Sequence, residues 1–416
     1  MRWRESFRLI ALVRTNWCDK RLLAVEINNT HATWWGGRVD WTIITYLVIV
    51  LATLAILAVL LKFTSNNVFS YVLAELIYGA IASYAALKVA HDFFMVFTLL
   101  AIGGFIGGPI FLAICVYFSH KKFKLMAGVN AVVLVCTMIV AVDAFLIEPH
   151  LLEIKRHSIV SDKLDEPLHV AILSDFQTDN IGDYERSVLQ TVANDKPDLL
   201  LLPGDYIQTM TVPEWEVERD KFKKAFKDLS IAPKYGTFAV QGNVDDFSCW
   251  QQLFTDVPGH TFEQSETVSA GPVDITGLSF YDGRNSELKF PKKDRNNKFH
   301  IVMAHYPDFS LGKVEGDLLV AGHCHGGQVQ LPFYGPIMTA SNVPKRWVNG
   351  DVVMLPSGSK LIVSRGVGME RHHAPRLRFC CRPQLIFVDL VPSKIKPIAK
   401  TMMSPVVSSW DQRSEN

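Results

Sequence analysis

The run Gly322-His323-Cys324-His325-Gly326-Gly327 sets two imidazoles one residue apart on a glycine-rich turn, where both can reach metal. Upstream come Ser174-Asp175-Phe176-Gln177, Gly204-Asp205, Gly242-Asn243 and Ala304-His305, each just after an apolar run that reads as a strand. Asp175, Asp205, Asn243, His305, His323 and His325 at successive strand ends make the donor pattern of a two-metal hydrolase. Carboxylates suit hard cations and imidazoles suit borderline ones, so the mixed set points to Mn, Fe or Zn rather than calcium. Two such ions about 3.5–4 Å apart need a bridging carboxylate, and together they activate a shared water while gripping a phosphate. Asp205 is the natural bridge, because the glycine before it and the strand behind it fix its direction. Each short motif is weak alone; their order and placement together are specific.

The elements that must position these residues are legible in the C-terminal half. After Glu148-Pro149 the composition changes to apolar strands alternating with polar helices. His169 to Leu173, Asp198 to Leu202, Thr237 to Val240, His300 to Met303 and Leu318 to Ala321 read as strands. Tyr184 to Asn194 and the charged stretch Glu214 to Leu229 have helical spacing. Polar residues directly after strands describe an α/β layered domain whose site lies at the strand C-termini.

From about Leu168 to Leu390 the chain resembles the calcineurin-like metallophosphoesterases. It is most similar to the bacterial membrane-anchored branch, whose Gly-His-x-His-Gly-Gly-Gln-Val segment stands here as Gly322 to Val329. Ser364-Arg365-Gly366, Ala374-Pro375-Arg376 and Arg382-Pro383 are also similar to that branch. The resemblance implies a two-sheet β-sandwich flanked by helices and a site holding two divalent metal ions. One ion would take Asp175, Asp205 and His325; the other would take Asp205, Asn243, His305 and His323.

Two positions depart from the family pattern. Its first motif is Asp-x-His, but position 177 is Gln, whose carbonyl still ligates with less affinity for a softer metal. Its third motif is Gly-Asn-His followed by an acid, but position 244 is Val, which has no proton to give a leaving group. Loss of such an acid costs about 10²–10⁴ in rate if nothing replaces it. Asp245 and Asp246 stand alongside, and Asp245 is the expected substitute if its pKa is raised. The departure favours activated phosphoanhydrides or diesters. Arg284, in a loop after a strand, is expected to pair with a phosphate oxygen, and the resemblance adds Arg365 to substrate binding. Catalytic roles are expected for Asp205, Asn243, His323 and Asp245, with metal ligation at Asp175, Gln177, Asp205, Asn243, His305, His323 and His325.

The N-terminal half is a different material. Thr42 to Leu61, Val68 to Ala90, Phe93 to Phe118 and Met126 to Ile147 each have the length and apolarity to cross a ~30 Å hydrocarbon core. Mean hydropathy over the 416 residues is +0.16, high for a soluble protein. The expected organisation is an N-terminal cytoplasmic segment (1–41), a transmembrane helical bundle (42–148), an α/β metallophosphoesterase domain (168–393) and a polar tail (394–416). Gly103 and Gly107, four residues apart, would allow close helix approach, while Glu75 is the ionisable group deepest in the spans. Seven cysteines without paired spacing argue against a secreted disulfide framework. Arg2, Arg4, Arg8, Arg14, Lys20, Arg21 and Arg38 hold the N-terminus inside, and four spans bring the catalytic domain to the same side. Lys121, Lys122 and Lys124 weigh the other way. A net charge of +1 gives no footprint for nucleic acid. The expected partners are membrane lipid and a phosphorylated, lipid-linked substrate, with an inner-membrane location. The alternative is a catalytically silent metal-binding or sensor protein that kept the fold.

Overall fold

A computed structural model describes residues 40–64, 66–245, 249–290 and 298–394. The basic N-terminal segment, Asp246 and nearly all of the polar tail fall outside these residues.

Two six-stranded sheets stack face to face. Across the first lie β1 (Glu153–Ser161), β12 (Gln384–Pro392), β2 (Leu168–Ile172), β3 (Leu199–Leu202), β4 (Thr237–Val240) and β5 (Gly259–Phe262). Across the second lie β10 (Val353–Met354), β11 (Lys360–Val363), β9 (Leu318–Ala321), β8 (Phe299–Met303), β7 (Val273–Gly277) and β6 (Glu266–Ala270). β2 to β5 are parallel, as are β7, β8, β9 and β11, so within each sheet these strands finish at one edge. β1 pairs along its whole length with β12, which carries the first sheet upstream of the Leu168 boundary expected from sequence.

The run Leu199-Leu200-Leu201-Leu202 shows why the layers form. Successive strand side chains point to opposite faces, so an unbroken apolar run must be covered on both. Leu199 and Leu201 join Val170, Ile172, Ile301 and Val320 between the sheets. Leu200 and Leu202 pack with Val188 and Leu189 of α5 (Asp183–Asp195) and Phe222 of α6 (Val212–Asp228).

Four earlier helices are long and apolar enough to cross a membrane: α1 (Trp41–Thr64), α2 (Val68–Val89), α3 (Phe93–Ser119) and α4 (Lys124–His150). α3 contains a π-helical turn at Gly103–Gly107. Such a turn loosens the backbone ladder, and the Gly103 carbonyl accepts a 2.7 Å hydrogen bond from the Tyr78 hydroxyl. A Cβ on Gly103 would fall 2.3 Å from the Tyr46 hydroxyl, and one on Gly107 would fall 2.1 Å from that of Tyr78. The glycine face therefore admits tyrosine side chains from α1 and α2. Glu75 also faces inward, accepting a 2.9 Å hydrogen bond from the Asn130 amide of α4.

The bundle and the α/β domain meet without a slack linker. At the end of α4 the Glu148 carboxylate accepts the backbone N–H groups of Cys380 and Cys381, and the Ala144 carbonyl accepts that of Arg378 at 3.0 Å. Arg378 is itself fully buried. Its guanidinium donates to the carbonyls of Arg365, Gly366, Gly368, Cys381 and His325, tying the segment after β11 to the His-x-His turn. Replacing it removes donors from several buried carbonyls, each costing about 1–3 kcal/mol if left unpaired. Arg378→Met is expected to lower stability by about 3 kcal/mol or more and the thermal midpoint of the purified chain by roughly 6–12 °C, read by circular dichroism.

Candidate metal centre

Every expected donor arrives on the turn that follows a strand: Asp175 and Gln177 after β2, Asp205 after β3, Asn243 after β4, His305 after β8, and His323 and His325 after β9. These turns are tight. Asp175, Gln177, Asp205, His323 and His325 all have positive φ, between 32° and 69°. That region costs a side-chain-bearing residue about 1–2 kcal/mol, so backbone strain is concentrated where the donors stand. Bare glycines make the approach feasible. A Cβ on Gly242 would lie 2.1 Å from Asp205 Oδ1, and one on Gly322 would lie 2.0 Å from Ser174 Oγ and 2.4 Å from Asp175 Oδ2.

Asp175, Asp205 and His305 are buried with ligand atoms within 4.8 Å of one another. His305 Nε2 lies 3.3 Å from Asp205 Oδ2 and 2.9 Å from Asn243 Oδ1. His323 Nδ1 lies 2.8 Å from the same Asn243 oxygen, and His325 Nε2 lies 3.6 Å from Asp175 Oδ1. Asn243, His305 and His323 thus form one subset and Asp175 with His325 another, with Asp205 close to both.

The donor set fits divalent cations, and the outer partners of the imidazoles agree with it. His305 Nδ1 faces the Pro203 carbonyl at 2.8 Å, and His323 Nε2 faces the Ala340 carbonyl at 3.1 Å. With one ring proton directed to each carbonyl, the other nitrogens of His305 and His323 converge on Asn243 Oδ1, placed to ligate a cation. A cation bound there would take the place of the proton that His305 carries without it. Outer carbonyl partners of this kind orient metal-ligating imidazoles. His325 Nδ1 and Gln177 Oε1 are also buried without a hydrogen-bond partner among the described residues.

The electrostatics show that the buried carboxylates draw positive charge to the centre. Burial, against the pull of His305 and with the added charge of Asp205, pushes Asp175 up to about 7. For Asp205 the burial penalty is outweighed by His305, and its pKa is lowered. Burial disfavours the His305 imidazolium, but Asp205 and Asp175 prevail and raise it to about 9. Burial, together with the His305 charge, lowers His323 to about 4.

Gln177 occupies the position where the resemblance expects a histidine. Its amide nitrogen donates to Gln208 Oε1 at 3.0 Å and to Glu370 Oε2 at 3.1 Å. Gln208 in turn donates to Glu370 Oε1 at 2.9 Å, while Arg371 N–H donates to Gln208 Oε1. Two acceptors hold the NH₂ group, so the carbonyl oxygen is the end left free. Sequence reading missed Gln208 and Glu370; the available signal was a buried-type polar residue three positions after the bridging aspartate.

One expectation is met in part and one is corrected. The Asp245 carboxyl is pushed up to about 7, chiefly by burial and then by the charge of Asp205, as a substitute acid requires, but the group is already engaged. It is buried, and its carboxylate accepts the N–H groups of Asp205, Gly242 and Tyr206 at 2.7–2.9 Å, clamping the two turns together. Arg365 does not reach the centre as a phosphate binder. It is buried behind the His-x-His turn and paired with Glu153, its stem lying where a Gly326 side chain would be. Arg284 is placed differently, in a polar cavity of about 230 Å³ with Tyr306, Asp308, Ala340, Ser341 and Asn342. Its guanidinium sits 5.0 Å from the centre of the Tyr306 ring, which meets the His323 ring at a 40° tilt with centroids 3.8 Å apart. Ser341 and Asn342 are engaged with Asp308, whereas the Tyr306 hydroxyl has no partner among the described residues. Tyr306 was also missed by the sequence reading.

Residues 168–335 match the family model described as calcineurin-like phosphoesterase. The chain is 27% identical over 266 residues to the uncharacterized metallophosphoesterase YkuE of Bacillus subtilis, covering 59% of this chain and 87% of that one. It is 27% identical over 265 residues to the phosphodiesterase YaeI of Escherichia coli, covering 59% and 90%. A shorter match, 30% over 130 residues, covers 29% of this chain and 38% of the UDP-2,3-diacylglucosamine pyrophosphatase LpxG of Chlamydia trachomatis. The α/β domain belongs to the calcineurin-like metallophosphoesterases. It is a phosphoric ester hydrolase domain built for divalent metal.

Cation entry must displace protons from these ligands, so affinity depends on pH. With Asp175 at about 7 and His305 at about 9, Mn²⁺ is expected to bind more tightly as pH rises from 6 to 9, and to release protons on binding. Calorimetric titrations in buffers of different ionisation enthalpy check this; a pH-independent affinity would contradict it.

Proposed function

We propose that this chain is a membrane-anchored, dinuclear phosphoesterase that hydrolyses a phosphodiester or pyrophosphate bond of a lipid-linked substrate. The observation that carries the reading is the convergence of nitrogen and oxygen donors around Asp205, next to the cavity holding Arg284. Asp175, Gln177, His325 and Asp205 would hold one ion, and Asp205, Asn243, His305 and His323 the other. When bound, such ions supply Lewis-acid charge and lower the pKa of water at neutral pH.

The chain's own residues divide the remaining work. Pro203 and Ala340 keep the proton-bearing sides of His305 and His323 turned away from the centre. Arg284 offers parallel N–H donors to phosphate oxygens, a pairing that is both charged and directional. Tyr306 presents a hydroxyl to the same cavity, its phenol kept protonated by burial, with a pKa of about 12. Val244 is buried and gives only its backbone N–H, to Asp205 Oδ1 at 2.9 Å. Without an imidazole there, a leaving group that departs with little protonation is favoured, as in a phosphoanhydride.

Support for a lipid-linked substrate comes from the bundle. Val48, Leu51, Ile56, Leu76 and Ile139 are exposed on its outside, as lipid-facing positions would be. A groove of about 450 Å³ runs between α3 and α4, lined by Ala101, Phe105, Val142 and Phe145 and closed by Ala374, Pro375 and Arg376. Four spans return the chain to its starting side, and the basic residues of the N-terminal segment outnumber Lys62, Lys121, Lys122 and Lys124 on the other. We accordingly assign the catalytic domain to the cytoplasmic face.

The test is hydrolysis of bis-p-nitrophenyl phosphate by the purified full-length chain with added Mn²⁺. Asp205→Asn is expected to lose at least about a hundredfold in turnover, beyond what loss of an outer ligand partner costs. Arg284→Ala should lower kcat/KM by roughly 10–100-fold, the worth of a charged hydrogen bond. Val244→His should raise turnover of the diester, and a diphosphate-linked glycolipid in mixed micelles should be cleaved faster than the artificial substrate. Absence of metal-dependent turnover by the native chain on both substrates would sink the reading.

A further inference from the structure

A second group of metal-type donors closes up far along the chain from the first, at the junction of the bundle and the catalytic domain. His91 and Asp92 form the connection between α2 and α3, and His373 lies in the loop that follows Glu370. His91 Nε2 is 3.3 Å from His373 Nδ1 and 3.1 Å from Asp92 Oδ2, and that oxygen is 2.5 Å from His373 Nδ1. Each residue is held from behind. His91 Nδ1 lies 3.3 Å from the Thr42 hydroxyl at the start of α1. Asp92 Oδ1 accepts the Met95 N–H at 2.8 Å, and the His373 carbonyl accepts the Thr98 hydroxyl at 2.6 Å.

We propose that His91, Asp92 and His373 form a third cation site, which takes one borderline divalent ion such as zinc and clamps the catalytic domain to the membrane-facing bundle. Two imidazoles and one carboxylate, with water in the fourth position, are a recurring zinc donor set. Donors each 2.0–2.1 Å from one tetrahedral ion lie about 3.3 Å apart, and two of the three separations here already have that length. The third is the length of a carboxylate–imidazole hydrogen bond, whose proton the ion displaces. The outer contacts from Thr42 and Met95 are of the kind that orient metal-ligating imidazole and carboxylate groups. The three side chains are between a third and a half exposed, which leaves an entry path and room for water.

The location gives the site a task. His373 follows Glu370, whose carboxylate holds the Gln177 amide, and precedes the Ala374-Pro375-Arg376 wall of the groove. One ion here fixes a loop that touches the bundle, the groove and the catalytic centre.

The test uses the full-length chain in detergent micelles, loaded with Zn²⁺ or Co²⁺ and dialysed. Metal content is expected to fall by one equivalent in His91→Ala/His373→Ala, with loss of the absorption bands of one four-coordinate Co²⁺. Asp205→Asn should instead deplete the catalytic centre and keep those bands, so the outcome is separable from any failure of the proposed hydrolase activity. If the double variant does not fold, Asp92→Asn retains the hydrogen bond that caps α3 and should lose the same equivalent. A foldable variant of either kind with native metal content and an unchanged Co²⁺ spectrum overturns the proposal.

Discussion

Two carboxylates, Asp175 and Asp205, are buried to within 1% of complete enclosure at the end of a β-sandwich. Isolated charges in such a place are costly unless paired, and much of the local architecture answers that demand. Parallel strands of the first sheet deliver the carboxylates, and parallel strands of the second bring imidazoles to them from the other side. Glycines remove the side chains that would hold the turns apart, and five donors accept left-handed backbone conformations to come close enough. Asp245 spends its own charge on three backbone N–H groups to keep two of the turns in register. The centre is thus an electrostatic problem whose solution is a pair of cations.

The sequence made much of this legible, for a physical reason. A parallel strand buried on both faces is a short apolar run, and its polar successor stands out sharply, as Asp205 does after Leu199 to Leu202. Helices α5 and α6 were readable from their spacing for the same kind of reason. What stayed hidden was direction. Asp245 adjoins the position of the missing imidazole, but only the fold shows its carboxylate turned toward backbone amides. Arg365 sits in a tail similar to the family's, yet its partner Glu153 lies more than two hundred residues away on a strand that sequence reading passed over. Tyr306 and Glu370 fell silent because nothing in linear order marks a side chain that arrives from a loop.

The segment from Arg365 to Cys381 deserves to be seen as one object. Its first part wraps the buried Arg378 guanidinium, its middle orients Gln177 through Glu370, and its last residues are bound by Glu148. Chain that in many folds would be a loose connector here touches catalytic donors, helix ends and groove at once. Stability and site geometry are consequently coupled: a substitution that frees this segment also releases the contact that holds the Gln177 amide.

The direct passage of α4 into the first sheet has a further meaning. On the proposed membrane reading, so short a connection would set the catalytic centre at one height above the bilayer and in one orientation. The protein would then work as a depth gauge: a scissile phosphate would be cleaved only if its own headgroup lifted it to that level, and selectivity among lipids would be set by distance as much as by chemical recognition.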